Sequence, residues 1–313
     1  MAKQDNSEWQ ARLEVVVEES GYYEPLGPSH DAVFHDDGPV LLVSFERHAV
    51  ITAEDETALP RGLRLARENG WSSLTLICSD ETWFRDPQVF AYFDRLLDEA
   101  FFEDFDRVVF YGAGACGYAA ATFSVAAPGA TVLALAPQAT LDPRLAGWDD
   151  RFAEMRRTSF TDRYGFAPEM LDGVGQAFVV YDPRERLDAM HAALFARPSV
   201  TLLPCPHLGQ TPEGMLRDMN ILDAILTEAC TGRLDAARYW SLYRARRNLP
   251  RYMRNLLASL QDTNRPYLEA LVCRNVAERL NGPRFRARYL RLEADLAERG
   301  ITLPAPRREM GAA

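Results

Sequence analysis

The chain has 313 residues, 47% of them apolar, and a formal net charge of −10. This length and apolar content are enough for one large domain or for one and a half smaller ones. It has no run of about 18 apolar residues, and its N-terminus is polar, which argues against a membrane span and a signal peptide. Five widely spaced cysteines without a C-x-x-C pair argue against a zinc cluster and a disulfide framework, so we predict a cytoplasmic protein with reduced thiols, no metal and no cofactor.

Short apolar runs alternate with helical patterns after a polar lead-in over residues 1–24, for which we predict a helix. The predicted strands are residues 31–35, 40–45, 73–78, 107–111, 131–136, 177–181 and 199–204. The predicted helices between them are residues 57–69, 87–103, 115–126 and 184–196. Continuous Val, Leu and Ile runs are typical of parallel strands that are buried on both faces. The alternation therefore predicts an α/β domain with a doubly wound, mostly parallel sheet over residues 25–230.

Two connections in this domain have signals of their own. Asp36, Asp37 and Gly38 separate the first two predicted strands, and this turn sequence predicts a hairpin. Residues 142–176 form a long, charged and partly helical connection, so we expect an insertion or lid over the carboxyl edge of the sheet.

The rest of the chain is predicted to be a helical extension over residues 231–300 and a flexible tail over residues 301–313. Asn-x-Pro recurs in it at Asn248, Asn264 and Asn281. Because asparagine can cap a helix start and proline is tolerated in the first turn, each repeat is expected to begin a helix of about four turns. Such helices form hairpins and approach a tetratricopeptide-like stack. The alternative is a helical appendage that only stabilises the α/β domain.

Charge is distributed unevenly along the chain. Residues 233–313 contain 17 arginines and 8 acidic residues, whereas the remainder contains 18 basic and 37 acidic residues. We expect the basic helices to pack on the acidic body or to contact a separate acidic partner. No nucleic-acid surface is predicted, because the acidic body would compete for the basic helices and repel phosphate.

A glycine-rich turn lies in the sequence VVFYGAGACGYAAATFS, residues 108–124. Gly112, Gly114 and Gly117 match the G-x-G-x-x-G loop that holds a dinucleotide pyrophosphate. The same residues match the strand-to-helix elbow of an α/β-hydrolase, with glycine at the nucleophile position. The dinucleotide hypothesis lacks the acidic residue that should end the next strand, because residues 136–138 there are Ala-Pro-Gln.

Two further residues fit the hydrolase arrangement. Asp182 follows the predicted strand 177–181, where the acid of a catalytic triad belongs, and His207 follows the strand 199–204, where the histidine belongs. The chain order nucleophile, acid, histidine is that of the hydrolase fold. The alternative interpretations are an Asp-Pro helix start and a solvated loop histidine.

The segment FYGAGACGYAAATFSVAAPGATVLALAPQATLDP resembles α/β-hydrolase-like proteins whose elbow is Gly-x-Ser-Met-Gly-Gly-Tyr and whose next strand ends in Pro-Gln. The resemblance covers residues 31–230 and is densest over residues 107–150. Domains of this kind are often found with bacterial surface-polysaccharide systems. Similar-looking proteins are also labelled phosphoadenosine phosphosulfate reductases. The serine-rich phosphate loop and the Glu-Cys-Gly-x-His segment of such a reductase are both missing from the sequence.

The resemblance extends residue by residue through the elbow. Gly112 matches the first glycine, Gly114 the nucleophile, Cys116 and Gly117 the Gly-Gly pair, and Tyr118 the tyrosine. The departure from the family is at Gly114, since glycine adopts the positive φ of an elbow without strain but has no nucleophilic oxygen. The resemblance thus implies a fold that kept the turn and abandoned acyl transfer.

Cys116 is the alternative nucleophile. It lies at a helix N-terminus that would lower the pKa of its thiol, and His207 and Asp182 would complete a triad. Its position two residues past the turn also requires a small side chain for packing between helix and strand. Cys78 and Ser79, at the end of another strand, are further candidates.

In the absence of a nucleophile, the turn predicts a pocket. Backbone N–H groups at the start of the following helix can bind a carboxylate or a phosphate. Trp83 and Arg85 lie just beyond the end of the predicted strand 73–78, and an aromatic ring beside an arginine suits a sugar or a small anion. The alternative interpretation is that these side chains pack at the end of the sheet. The predicted ligand-binding residues are Gly112, Gly114, Ala115, Gly117, Trp83 and Arg85.

From the sequence we therefore expect a non-catalytic α/β-hydrolase-like protein that binds a small anionic or sugar-like ligand or a protein partner. One alternative is an active esterase or acyltransferase that uses Cys116, His207 and Asp182. The other is a nucleotide-binding protein that uses the G-x-G-x-x-G loop.

Overall fold

A computed structural model describes residues 2–54 and 59–305 of the chain. Within these residues, one sheet contains the strands β1 (Gly21–Pro25), β2 (His30–His35), β3 (Val40–Arg47), β4 (Ser72–Cys78), β5 (Arg107–Ala113), β6 (Thr131–Leu135), β7 (Gln176–Tyr181) and β8 (Val200–Pro204). The helices are α1 (Ala2–Val17), α2 (His48–Glu54), α3 (Arg61–Asn69), α4 (Pro87–Asp98), α5 (Ala115–Phe123), α6 (Pro143–Ala146), α7 (Ala167–Met170), α8 (Arg186–Leu194), α9 (Pro212–Asp218), α10 (Leu222–Cys230), α11 (Ala236–Tyr243), α12 (Pro250–Asp262), α13 (Pro266–Leu280) and α14 (Pro283–Glu298). Short 3-10 turns span Phe101–Asp104, Ser124–Ala126, Ala153–Arg157 and Arg244–Asn248.

The sheet has the strand order β1-β2-β4-β3-β5-β6-β7-β8. The strands from β3 to β8 pair in parallel, while β2 runs antiparallel to both of its neighbours. This is the strand order of an α/β-hydrolase sheet, so the predicted fold class is confirmed. Every residue of β4 is buried, which requires cover on both faces of the sheet.

The predicted hairpin between β2 and β3 is wrong. β4 lies between these two strands in the sheet and pairs with each of them. The turn that contains Asp37 and Gly38 is held by Ser72, whose hydroxyl accepts both of their backbone amides at 3.0 and 3.1 Å. The hairpin joins β1 and β2, and all of β1 except Pro25 lies in the predicted lead-in, residues 1–24. β1 escaped prediction because it is a half-exposed edge strand with few apolar residues.

Aromatic side chains fill the core beside α4 and α5. Phe93 stacks on Phe123 with ring centroids 4.3 Å apart, and Phe45 of β3 stacks on Phe123 at 5.6 Å. These contacts fix α5, and therefore the turn that begins it, against the middle of the sheet.

The residues divide into two units, the first of which ends at Tyr243 and the second of which begins at Arg244. α11, in the predicted extension, thus belongs to the first unit. In the second unit α12, α13 and α14 each begin at the proline of an Asn-x-Pro repeat, as predicted. Of the predicted tail, residues 306–313 lie outside the described residues, as do residues 57–58 of the first predicted helix.

The predicted role of the repeat asparagines is wrong. The residue between asparagine and proline occupies each N-cap position, and none of the three caps through its side chain. Asn264 and Asn281 instead adopt left-handed conformations, with φ of +49° and +51°, at the ends of the preceding helices. Asparagine tolerates this conformation better than most residues, so it terminates one helix before proline begins the next.

Among the described residues, no helix combines the length and the apolar character that a membrane span needs.

Candidate functional site at the elbow

The turn between β5 and α5 is centred on Gly114, which has φ of +59° and ψ of −122°. This region of backbone space is strained for every residue except glycine, and the positive φ is as predicted. A Cβ atom built on Gly114 would meet no heavy atom within 4 Å, so the space beyond its α-carbon is open. The turn therefore has room for a side chain that it does not contain.

A close backbone contact requires glycine at position 112, and a tight contact favours it at position 117. A Cβ atom on Gly112 would lie 2.1 Å from the carbonyl oxygen of Cys116, and one on Gly117 would lie 3.1 Å from that of Gly112. The glycine pattern is thus accounted for by strand-to-helix packing. In addition, the glycine turn follows the fifth strand of the sheet, and the strand order differs from that of the dinucleotide-binding fold. The fold that would hold a pyrophosphate at this loop is therefore not the one observed.

Asp182 and His207 lie in neighbouring loops at the edge of the sheet where β7 and β8 end. Asp182 is buried, and its carboxylate accepts the amide of Arg184 at 2.9 Å and that of Gly209 at 2.7 Å. Because Gly209 belongs to the loop that contains His207, this contact ties the histidine loop to the acid. β5 ends at the same edge, since β5 to β8 are parallel.

The electrostatic setting of His207 favours a neutral imidazole. Partial burial of the ring and the positive charge of Arg184 lower its pKa below the ordinary histidine value, and the negative charge of Asp182 opposes them. The net shift is downward, so the ring is neutral at pH 7. A neutral imidazole beside a carboxylate is the state that a general base requires.

Cys116 lies in the first turn of α5, but its thiol is buried. A hydrogen bond to Cys78, burial and the negative charge of Glu213 raise the pKa of this thiol well above its ordinary value, against an opposing effect of Arg47. The direction of this shift is opposite to the predicted lowering by the helix N-terminus, because burial and the contact with Cys78 favour the neutral thiol. Since the thiolate is the nucleophilic form, the thiol is unreactive in this state.

Trp83 and Arg85 occupy structural positions and do not face an open pocket. The Trp83 ring is fully buried and donates to Gln138 Oε1 at 3.0 Å. The Arg85 side chain is 2% exposed and donates to the carbonyl oxygens of Ser159 and Arg163 at 3.0 and 2.8 Å. Both side chains are packed at the end of the sheet, in agreement with the alternative interpretation.

Glu213, the second residue of α9, is a further titratable group near the elbow that no sequence pattern indicates. Its carboxylate accepts a hydrogen bond from the hydroxyl of Tyr111 on β5. Burial, followed by the negative charge of Glu46, raises its pKa, while the hydrogen bond and the charges of Arg61 and Arg47 lower it, with a net upward shift. No local sequence pattern indicates this contact, because Tyr111 and Glu213 are 102 residues apart and Glu213 belongs to no motif.

Ala115 follows Gly114 and is buried, with its amide in the first turn of α5. The first N–H groups of a helix have no intrahelical acceptor, so this turn offers donors next to the open space at Gly114. The structure thus brings together Gly112, Gly114, Ala115 and Gly117 at the elbow, and Asp182 with His207 in adjacent loops.

No protein-family model and no curated protein sequence matches the chain. Among solved structures, it is similar to a hormone-sensitive lipase from a metagenome library, with 18% identity over 72% of this chain and 93% of that one and a TM-score of 0.44. It is also similar to an esterase from Pyrobaculum calidifontis (13% identity, 75% and 95% coverage, TM-score 0.44) and to carboxyl esterase 2 from Tuber melanosporum (14% identity, 68% and 85% coverage, TM-score 0.39). Such low identities concern the fold alone and leave the activity of this chain open.

Proposed function

We propose that this chain is a non-catalytic relative of the α/β-hydrolases that binds a small carboxylate or phosphate ligand at the elbow. Gly114 is the observation on which the proposal depends. It has the backbone of a nucleophile-bearing turn and open space at its α-carbon, but it has no side-chain oxygen. A ligand anion in that space would accept hydrogen bonds from the first N–H groups of α5 and would be favoured by the helix dipole.

The surroundings of the elbow favour an anion over a sugar. Arg184 lowers the pKa of His207, so a cationic side chain lies near this ring, whereas Arg47 is already paired with Glu81 at 2.6 Å. Stacking on a sugar would need an exposed aromatic face, and the Trp83 ring is fully buried. We therefore narrow the ligand class to small anions.

An active esterase is the second candidate. The observation in its favour is the loop contact that keeps Asp182 beside a neutral His207, as an acyl-transfer enzyme requires. The structural neighbours are esterases and a lipase by name, which agrees with this candidate better than with the first. Its weakness is the nucleophile, because Cys116 is buried and its pKa is raised.

Ester hydrolysis and ligand binding distinguish the two candidates. We expect the purified chain to give no turnover of p-nitrophenyl acetate above that of a His207→Ala variant. We expect benzoate or phenyl phosphate to slow hydrogen exchange of the backbone in α5. Turnover that is abolished by Cys116→Ala would overturn the proposal in favour of the esterase, and α5 exchange unchanged by either anion would overturn the ligand site.

A further inference from the structure

The second unit contains a cavity of about 590 Å³ between the 3-10 turn Arg244–Asn248, α12 and α13. We call it the arginine cavity, and its lining residues are Arg244, Arg246, Arg247, Asn248, Tyr252, Met253, Leu256, Leu271, Val272, Asn275 and Arg279. Its volume is within the range of about 300–1,000 Å³ that is usual for small-molecule sites. All of its lining residues belong to the second unit.

The lining of this cavity is strongly positive. Four of its residues are arginines and none is acidic. Arg244 and Arg247 are exposed, and the described part of the chain places no carboxylate in an ion pair with either of them. Because Arg244 and Arg247 are exposed and have no carboxylate partner among the described residues, they favour a ligand that brings its own negative charge.

Arg279 is held in position by neutral acceptors. Its guanidinium donates to the side-chain oxygen of Asn248 and to the backbone carbonyl of Arg247. These contacts orient the guanidinium without neutralising its charge. Because the Arg279 side chain is already ordered, the binding of an anion to it costs less side-chain conformational entropy.

The rest of the lining is apolar. Met253 is buried, and Leu256, Leu271 and Val272 are half-buried around the cavity. A ligand that filled the cavity would therefore place an apolar group against these side chains and an anionic group among the arginines.

We propose that the arginine cavity binds a small phosphomonoester with an apolar substituent. A phosphoryl group has a charge of about −1.5 to −2 at pH 7 and three acceptor oxygens, so it can engage more than one guanidinium at once. A monocarboxylate has a single charge and two acceptor oxygens, so it would bind more weakly. The apolar substituent accounts for the leucine, valine and methionine lining, which inorganic phosphate would leave without contacts.

Calorimetric titration of the full chain with hexyl phosphate, in a buffer without phosphate, tests the proposal. We expect hexyl phosphate to bind more tightly than inorganic phosphate and more tightly than hexanoate. The double variant R244Q/R247Q should weaken binding by about ten-fold or more, since charge-assisted hydrogen bonds are lost. The matched control is R254Q/R291Q, which removes two exposed arginines of the same unit outside the cavity lining and should leave the affinity within about two-fold.

The outcomes separate a site from general attraction to a basic surface. Equal weakening by the two double variants, or no binding of hexyl phosphate, would overturn the proposal. Inorganic phosphate that binds as tightly as hexyl phosphate, and whose binding R244Q/R247Q weakens, would overturn the apolar part of it. Hydrogen exchange of the unaltered chain gives an answer without any variant, because hexyl phosphate should protect α12 and α13, and a lack of protection there would also overturn the site.

Discussion

The amide of Gly209 donates a hydrogen bond of 2.7 Å to the carboxylate of Asp182, across the loops that follow β8 and β7. This contact fixes the loop of His207 beside an acid, at the edge of the sheet where β5 also ends. We propose that Asp182 and His207 hold the places of the acid and the base of a hydrolase, while Gly114 has no side-chain oxygen on which they could act.

Gly114→Ser should restore that oxygen with little damage to the fold. The new Cβ would meet no atom within 4 Å, so the expected cost is backbone strain alone, about 1–2 kcal/mol in the free energy of unfolding. We expect the variant to react with a fluorophosphonate probe and to lose that reaction when His207→Ala is added. Denaturant unfolding and labelling of the purified protein measure both effects.

Gly112→Ser is the matched control, because the same side chain is added two residues earlier. Its Cβ would lie 2.1 Å from the Cys116 carbonyl oxygen, so we expect a loss of more than about 3 kcal/mol or failure to fold. If Gly114→Ser were as damaging as Gly112→Ser, the open space at the elbow would be refuted.

The thiols provide a second prediction. All five cysteines are free and buried, and the pKa of the Cys116 thiol is raised. We therefore expect the folded chain to react with a thiol-specific disulfide reagent at least about 100-fold more slowly than the chain in denaturant, where thiolates are accessible. Absorbance at neutral pH follows the reaction. Rapid labelling of one thiol that disappears in Cys116→Ala would instead support a nucleophilic role.

Strand ends could be predicted from the sequence because buried strands have continuous apolar runs, and the ends of β7 and β8 located Asp182 and His207. Strand order could not be predicted from a local turn. The Asp-Asp-Gly sequence before β3 is held by Ser72, which is far away in the chain, and β4 is inserted between the supposed hairpin partners.

The sequence could not show whether Trp83 and Arg85 are accessible to a ligand, because their exposure depends on whether other segments of the chain cover them. Phe152, from the insertion, packs edge-on against the Trp83 ring at 4.7 Å, and the insertion also supplies the acceptors for Arg85. A strand-end position indicates closeness to the site, but exposure is decided by long-range packing that no local pattern encodes. The same holds for Glu213 and its contact with Tyr111.

Arg85 gives a third prediction, which concerns stability. Its guanidinium donates to Ser159 O and Arg163 O and pairs with Asp162, so it joins the 81–87 loop to the insertion. Arg85→Ala should lower the free energy of unfolding by about 2 kcal/mol, because the charge-assisted hydrogen bonds of the buried guanidinium to the insertion are lost. Chemical denaturation measures this loss.

Arg197→Ala provides the comparison for Arg85. Arg197 pairs with the exposed Asp172, and such pairs contribute at most about 1 kcal/mol. Equal effects of the two substitutions would show that Arg85 is not the anchor of the insertion.

The C-terminal helices supply a fourth prediction. Residues 244–313 contain 15 arginines and 7 acidic residues, and the preceding residues are strongly acidic. If the helices pack on the acidic body, residues 1–243 alone should melt at a lower temperature than the full chain, and the difference should shrink in 1 M salt because charges are screened. Equal melting temperatures would identify the extension as an independent module.

The shorter fragment of residues 1–232 should be worse still. It lacks α11, in which Tyr239 and Tyr243 are buried and Tyr239 contacts the Cys205 sulfur at 3.2 Å. We expect this fragment to aggregate whether or not the extension packs on the body, so the 1–243 fragment is the informative one.

Glu213 gives the last prediction, a pH dependence of stability. Its pKa is raised in the folded chain, so between the ordinary glutamate value and the raised value the folded state binds more protons than the unfolded state. Stability contributed by this group therefore falls as the pH rises through that window. Glu213→Gln keeps an acceptor for Tyr111 and removes the ionisation, so the variant should gain stability relative to the unaltered chain as the pH rises from 5 to 8. Urea unfolding at a series of pH values measures the difference, in which the contributions of His207 and other groups cancel. Glu103→Gln, at an exposed glutamate, should track the unaltered chain throughout. If Glu213→Gln also tracked it, the raised pKa of Glu213 in the folded chain would be refuted.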